Sequence, residues 1–181
     1  MNSYIAKSPK ITELTDFYPI KLKQIGVGII GSGRMGRLRA SLASTSPQVR
    51  FLALSDQSID NAKRLADEVD ADFFSEDNEA VINHPDVDAI IVSTPEFAHA
   101  EPVCRAIELG KPVLCEKPIS LSLEDADKII DCLHRHDGNL HIGYTQRVRR
   151  RFLNAKEQIS QGKLGELQTA RATLYNIMSG G

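Results

Sequence analysis

At 181 residues the chain has room for one full domain, and 22 Lys and Arg against 24 Asp and Glu leave a formal net charge of only −2. That balance argues against a nucleic acid or an anionic membrane as the main partner, leaving small-molecule chemistry as the expectation. Cys104, Cys115 and Cys132 are widely spaced and form no CxxC pair, so the sequence points to no metal site and to a reduced, cytoplasmic setting.

Residues 1–23 mix Lys7, Lys10, Glu13 and Asp16 with scattered apolar positions and read as an N-terminal extension without a signal-peptide core. No run in the chain approaches the roughly 18 to 20 apolar residues that span a bilayer. From Gln24 onward, short apolar runs alternate with amphipathic stretches of helix length. This rhythm predicts an α/β fold, a doubly wound parallel sheet of the Rossmann type, over residues 24–146.

The first strand is expected at Ile25 to Ile30 and a helix from Arg34 to Ser44. Arg50 to Ser55 is the second strand, followed by a helix with Ser58 as its N-cap and Ala62, Leu65, Ala66 and Val69 on one face. A short third strand lies at Asp72 to Phe74. The run Ala89 to Ser93 suits a central strand buried on both faces, and a helix from Glu101 to Leu109 ends at Gly110. Pro112 to Cys115 forms the fifth strand. Ser122 with Asp125 resembles a capping box opening a long helix that stops near Gly138, and Leu140 to Thr145 is the sixth strand.

Beyond this point the rhythm changes. The basic run Arg147, Arg149, Arg150 and Arg151 leads into a helix to about Gln161, and the alternating stretch Leu167 to Tyr175 reads as the first strand of a different sheet. A lone strand buries no face, so residues 147–181 are expected to be the start of a truncated substrate or oligomerisation domain, completed by another copy or by a second chain. The basic run could steer an anionic substrate or form a solvated face.

Gly31, Ser32, Gly33, Arg34, Met35 and Gly36 spell GxGxxG between the first strand and its helix. There Gly31 permits a tight turn, Gly33 lets backbone approach a pyrophosphate, and Gly36 allows close packing of helix on strand. Free amides and the positive helix end then meet the phosphates. Asp56 ends the second strand 20 residues after Gly36, where a carboxylate accepts from the adenosine ribose hydroxyls. A carboxylate there repels a 2′-phosphate, and Gln57 rather than an arginine follows, so NAD is favoured over NADP. Arg34 blurs that preference because its guanidinium could reach a phosphate, and Met35 is read as packing near the adenine side.

Ligands of such sheets bind beyond the carboxyl ends of the strands, which places Ser93, Thr94, Pro95 and Glu96, then Glu116, Lys117 and Pro118, toward the nicotinamide end. With GxGxxG, a TP dipeptide followed by His99, the Glu116-Lys117-Pro118 tripeptide, HPDVDAIIVSTP, AIELGKPVLCEKP and GKLGEL, the chain resembles the glucose-fructose oxidoreductase, inositol dehydrogenase and MocA family from Gln24 to about Tyr175. The resemblance implies an NAD(P)-dependent dehydrogenase or reductase of sugars, inositols or related polyols. It implies for Lys117 a catalytic place near the nicotinamide and the reacting oxygen, and for His99 a place beside the nicotinamide half. Glu96 departs from the asparagine of many relatives.

An ammonium at Lys117 would stabilise the alkoxide that develops as a hydroxyl loses its proton, whereas outside the motif it would be an ordinary solvated lysine. Cys115 has no evident base partner and is not read as a nucleophile. The resemblance implies that the family's second domain supplies an Asp and a His from a DxxxH motif, and that second-domain segment is not found here. His134, His136 and His141 lie in the sixth-strand region of the first domain, so that role is not transferred to them. Two readings therefore stand: the cofactor half of a polyol or sugar dehydrogenase, or a non-catalytic NAD(H)-binding module paired with another chain.

Overall fold

A computed structural model describes residues 23–173. These fall into two units divided between Gly143 and Tyr144. The first contains six parallel strands: β1 (Ile25–Ile30), β2 (Val49–Ser55), β3 (Phe73–Ser75), β4 (Ala89–Val92), β5 (Val113–Cys115) and β6 (Leu140–Ile142). Their order in the sheet is β3-β2-β1-β4-β5-β6. Helices α1 (Arg34–Ser44), α2 (Ile59–Val69), α3 (Asn78–Ile82), α4 (Ala100–Glu108) and α5 (Leu123–His136) connect them.

Burial on both faces explains the nearly continuous apolar strands. Val27, Ile29, Leu52 and Leu54 pack with Ala40, Leu65, Ala66 and Val69 of α1 and α2. On the opposite face Ile30, Ala53, Ile90 and Val92 meet Val103, Ala106, Ile107, Ile129 and Cys132 of α4 and α5. Ile29 and Ile30 are fully buried, each stabilising the fold by about 1.5–3 kcal/mol relative to exposure. The chain winds one way from β1 to β3 and the other from β4 to β6, so a crevice opens at the carboxyl ends of β1 and β4.

The helix ends follow local chemistry. Ser122 Oγ accepts from the Asp125 amide at 3.1 Å and donates to Asp125 Oδ2 at 2.9 Å, while the Ser122 amide donates to Ser120 Oγ. The capping box is thus half formed, because its return bond goes to a hydroxyl instead of a backbone amide. Ser58 is the N-cap residue of α2 but caps with no side-chain bond. Gly110 adopts φ +70 just beyond α4, and the left-handed Asp137 closes α5 one residue before the expected glycine.

Several strand limits move. β3 begins at Phe73, and β4 ends at Val92. β6 ends at Ile142, not Thr145, because its partner β5 ends at Cys115 and the last rung is the Gly143 amide on the Cys115 carbonyl, at 2.7 Å. Helix α3 has no counterpart in the sequence reading. Its five residues are too few for a visible apolar period, but Asp77 caps it by accepting from the Glu79 amide at 2.9 Å.

The second unit, taken by itself, holds a 3-10 turn (Thr145–Val148) and helix α6 (Arg150–Ser160). Arg147, Arg149, Arg150 and Arg151 lie on the turn and the start of this helix, with the Arg151 guanidinium 4.9 Å from the Phe152 ring centroid. The strand expected at Leu167 to Tyr175 is not formed over residues 167–173, and 174–175 lie outside the described residues. An alternating pattern becomes a strand only with a neighbour to accept its backbone bonds. The expected extension at 1–23 lies outside the described residues except for Lys23. Among the described residues no helix is long and apolar enough to cross a membrane.

Candidate functional site

The turn after β1 is held from two sides. The Gly31 amide donates to the Ser55 carbonyl at the end of β2, at 2.8 Å, and Gly31 takes φ +96, where a side chain is strained. A Cβ on Gly31 would also lie 2.8 Å from the Ser93 carbonyl and the Thr94 nitrogen. At Gly36 a Cβ would fall 1.8 Å from the Gly31 carbonyl oxygen, so α1 reaches the turn only because that atom is missing. Gly33 is different. Nothing lies within 4 Å of where its Cβ would stand, so the backbone at the start of α1 faces open space. Arg34 beside it is exposed, and Met35 is half-buried.

Asp56 stands just beyond β2. Its Oδ2 accepts from the Ser32 amide at 2.9 Å and its Oδ1 from the Ser58 amide at 3.0 Å. A carboxylate has about four lone-pair sites, so acceptor capacity remains for hydroxyls on the cleft side. Gly31, Gly33, Asp56, Gln57, Ser93, Thr94 and Pro95 come together around one cleft of about 360 Å³. One lining residue, Ser93, has its hydroxyl buried without a hydrogen-bond partner among the described residues. Such a group costs about 1–3 kcal/mol unless something else bonds it. Open space at Gly33, an unsatisfied hydroxyl and a ribose-type acceptor together fit a dinucleotide.

The remaining expected residues, among them His99, Glu116 and Lys117, are not part of the cleft lining. His99 is 1% exposed, with Nδ1 3.0 Å from the Pro118 carbonyl and Nε2 3.1 Å from the Thr94 carbonyl. Its ring therefore ties the loop after β4 to the loop after β5. Glu116 is buried and turned toward α1, where Arg39 Nη2 and Nε lie 2.6 and 2.7 Å from its Oε1. This carboxylate serves the ion pair and does not line the cleft. The next residue, Lys117, is exposed and makes no ion pair among the described residues. A cis peptide joins it to Pro118.

Asn78, Phe97 and Glu101 also line the cleft, though the sequence reading did not single them out. Asn78 opens α3 and its Oδ1 accepts from the Ser55 hydroxyl at 2.8 Å. The cap at Asp77 was the available signal for it. Phe97 is 73% exposed, an aromatic ring left in solvent two residues after Pro95. A larger groove of about 570 Å³ runs between α4 and α5, but Asp125, Lys128, Asp131 and Arg135 line it and no residue of the glycine turn does. The smaller cleft, at the strand ends, is the candidate nucleotide site.

Residues 25–144 match the family model described as "Oxidoreductase family, NAD-binding Rossmann fold". The chain is 31% identical over 147 residues to a myo-inositol 2-dehydrogenase of Thermotoga maritima, covering 81% of this chain and 44% of that protein. It is 32% identical over 146 residues to a 2,7-anhydro-N-acetylneuraminate hydratase of Mediterraneibacter gnavus, covering 81% of this chain and 38% of the relative. Among solved structures, scyllo-inositol dehydrogenase of Lactobacillus casei with bound NAD(H) and scyllo-inositol superimposes with a TM-score of 0.74 at 27% identity, over 80% of this chain and 43% of that one. The chain thus spans less than half the length of these relatives.

Proposed function

Because the chain belongs to the GFO_IDH_MocA family of oxidoreductases with an NAD-binding Rossmann fold, we propose that it holds NAD(H) in the cleft beyond β1 and β4 for hydride transfer to or from a sugar or polyol carbon. The observation that carries this reading is the cleft itself, lined by the open backbone of Gly33, by Asp56 and by Ser93, whose hydroxyl has no partner among the described residues. The inositol-bound relative supports the substrate class.

The nicotinamide group, when bound, supplies the hydride acceptor or donor. The chain's own residues do the rest. Gly33 and the first-turn amides of α1 receive the pyrophosphate, and Asp56 accepts from the ribose hydroxyls and disfavours a 2′-phosphate. Ser93 and Thr94 border the path toward the reacting end. Arg39 fixes Glu116, and His99 bridges to Pro118, so Lys117 is presented between two anchored neighbours. Its ammonium would stabilise the substrate oxygen as the hydroxyl proton leaves.

The test is an NADH fluorescence titration of this chain, with NAD and NADP as competitors, joined to an assay of NAD reduction across inositols and aldoses. Saturable NADH binding, with NAD competing more strongly than NADP, is expected. Turnover that disappears in Lys117→Met would place the chemistry on this chain. Binding without turnover would assign it the role of a nucleotide-holding module, and absence of binding would refute the reading.

A further inference from the structure

The face of the sheet opposite α1 and α2 carries a second group of chemically active side chains, formed where α4 and α5 end. Glu108 is the last residue of α4, and Cys132 and His136 lie one turn apart at the end of α5. Their ligating atoms, one each from carboxylate, thiol and imidazole, all lie within 4.8 Å of one another. Among the described residues no other three such donors converge. Ligand atoms at tetrahedral angles around zinc, with bonds of about 2.0–2.3 Å, stand about 3.5 Å apart. Small rotamer adjustments would bring these three to that spacing.

We propose that Glu108, Cys132 and His136 bind a divalent metal ion of borderline softness, of which zinc is the type, clamping the ends of α4 and α5. Thiolate, imidazole and carboxylate are the donors that such an ion prefers. One thiolate and one carboxylate neutralise its two positive charges. Both helices end here, so their negative dipole ends add to the attraction for a cation. The i, i+4 spacing of Cys132 and His136 puts both on one helix face, as bidentate capture by a helix requires.

Burial divides the labour. Cys132 is fully buried beneath the site, while Glu108 and His136 are exposed and give an ion access. Among the described residues Glu108 has a single, loose ion-pair partner, Arg105 Nη1 at 3.6 Å, and Arg105 is held more closely by Glu79 at 2.9 Å. Cys104 lies on the same side, with its carbonyl 3.5 Å from Cys132 Sγ, but its thiol is not one of the converging donors, so it is left out of the ligand set. Binding replaces the Cys132 thiol proton with the metal, releasing that proton to solvent, so affinity falls as pH is lowered. The fourth position is left to water.

The test is titration of the reduced, metal-free 181-residue chain with Co(II), read by absorption, and with Zn(II), read by calorimetry and thermal unfolding. Expected are a single site, a sulfur-to-cobalt charge-transfer band, visible bands of four-coordinate intensity and a rise in melting temperature with zinc. Cys132→Ser should abolish the charge-transfer band. Since that buried change could also harm the fold, the exposed variants His136→Ala and Glu108→Gln provide the second arm and should weaken zinc binding roughly tenfold or more. Cys104→Ser should leave the band in place. Absence of the band in the parent chain, or its loss in Cys104→Ser with full retention in His136→Ala, would overturn the assignment.

Discussion

The Asp56 carboxylate, just beyond the end of β2, accepts the amide proton of Ser32 at 2.9 Å and thereby fixes the glycine turn after β1. In the proposed reading one side chain thus serves two ends of the nucleotide site: it braces the glycine turn assigned to phosphate and keeps acceptor capacity for the ribose.

These two duties separate by substitution. Asp56→Asn retains an oxygen that can accept from Ser32 but loses the charge that repels a 2′-phosphate. Calorimetry should show NAD affinity falling modestly and the gap between NAD and NADP narrowing. Asp56→Ala removes both duties and should weaken both cofactors. Unchanged affinity for both in the two variants would exclude the ribose assignment.

The glycines should divide in the opposite way. Gly33→Val adds a side chain into open space, so urea unfolding should place its stability within about 0.5 kcal/mol of the parent while NADH binding is lost. Gly36→Ala drives a methyl to 1.8 Å from the Gly31 carbonyl and should destabilise the fold by about 3 kcal/mol or more. A stable Gly36→Ala chain would mean that α1 can retreat from the turn.

Arg39 and Glu116 have side chains 18% and 8% exposed, so breaking the pair strands a charge in a poorly solvated place. Arg39→Met alone should cost about 3–5 kcal/mol, and the double change Arg39→Met with Glu116→Leu should recover most of it. Urea midpoints of the four chains measure the coupling. Additive losses would show that the two side chains act independently.

Asp88 Oδ2 accepts from the Gly26 amide at 2.7 Å and from Arg50 at 3.1 Å. The amide first, and then the arginine against some desolvation, hold this carboxyl below its ordinary value. A depressed folded value means that its contribution is fully present above the ordinary carboxylate pKa of about 4 and is lost as pH falls through the lowered one. Asp88→Ala should therefore cost about 1 kcal/mol at neutral pH, reduced by its partial exposure, and progressively less in acid. Urea midpoints taken from pH 7 down to about pH 2 test the sign, because a gap that widens in acid would contradict it.

Much of this was legible in the residues. A parallel sheet buried on both faces demands nearly continuous apolar strands, and AIIV and VLC announce themselves as such. The glycine turn and Asp56 were readable because backbone geometry there tolerates few alternatives. Helix α3 was not, since five residues carry too little period. The strand sought at 167–175 shows the limit from the other side, because alternation describes a face without saying what will pair with it.

The sequence by itself determined the alternation of strands and helices, the glycine turn after β1 and the acidic residue that follows β2, all of which depend on local backbone and side-chain requirements. Only the tertiary structure decided where the side chains around that turn point. It turned Glu116 onto Arg39, 77 residues earlier, buried His99 between two loops, left the Ser93 hydroxyl without a partner among the described residues, and brought Glu108 beside Cys132 and His136. Such contacts join residues far apart in the chain, and only the packing of helices on the sheet makes them neighbours.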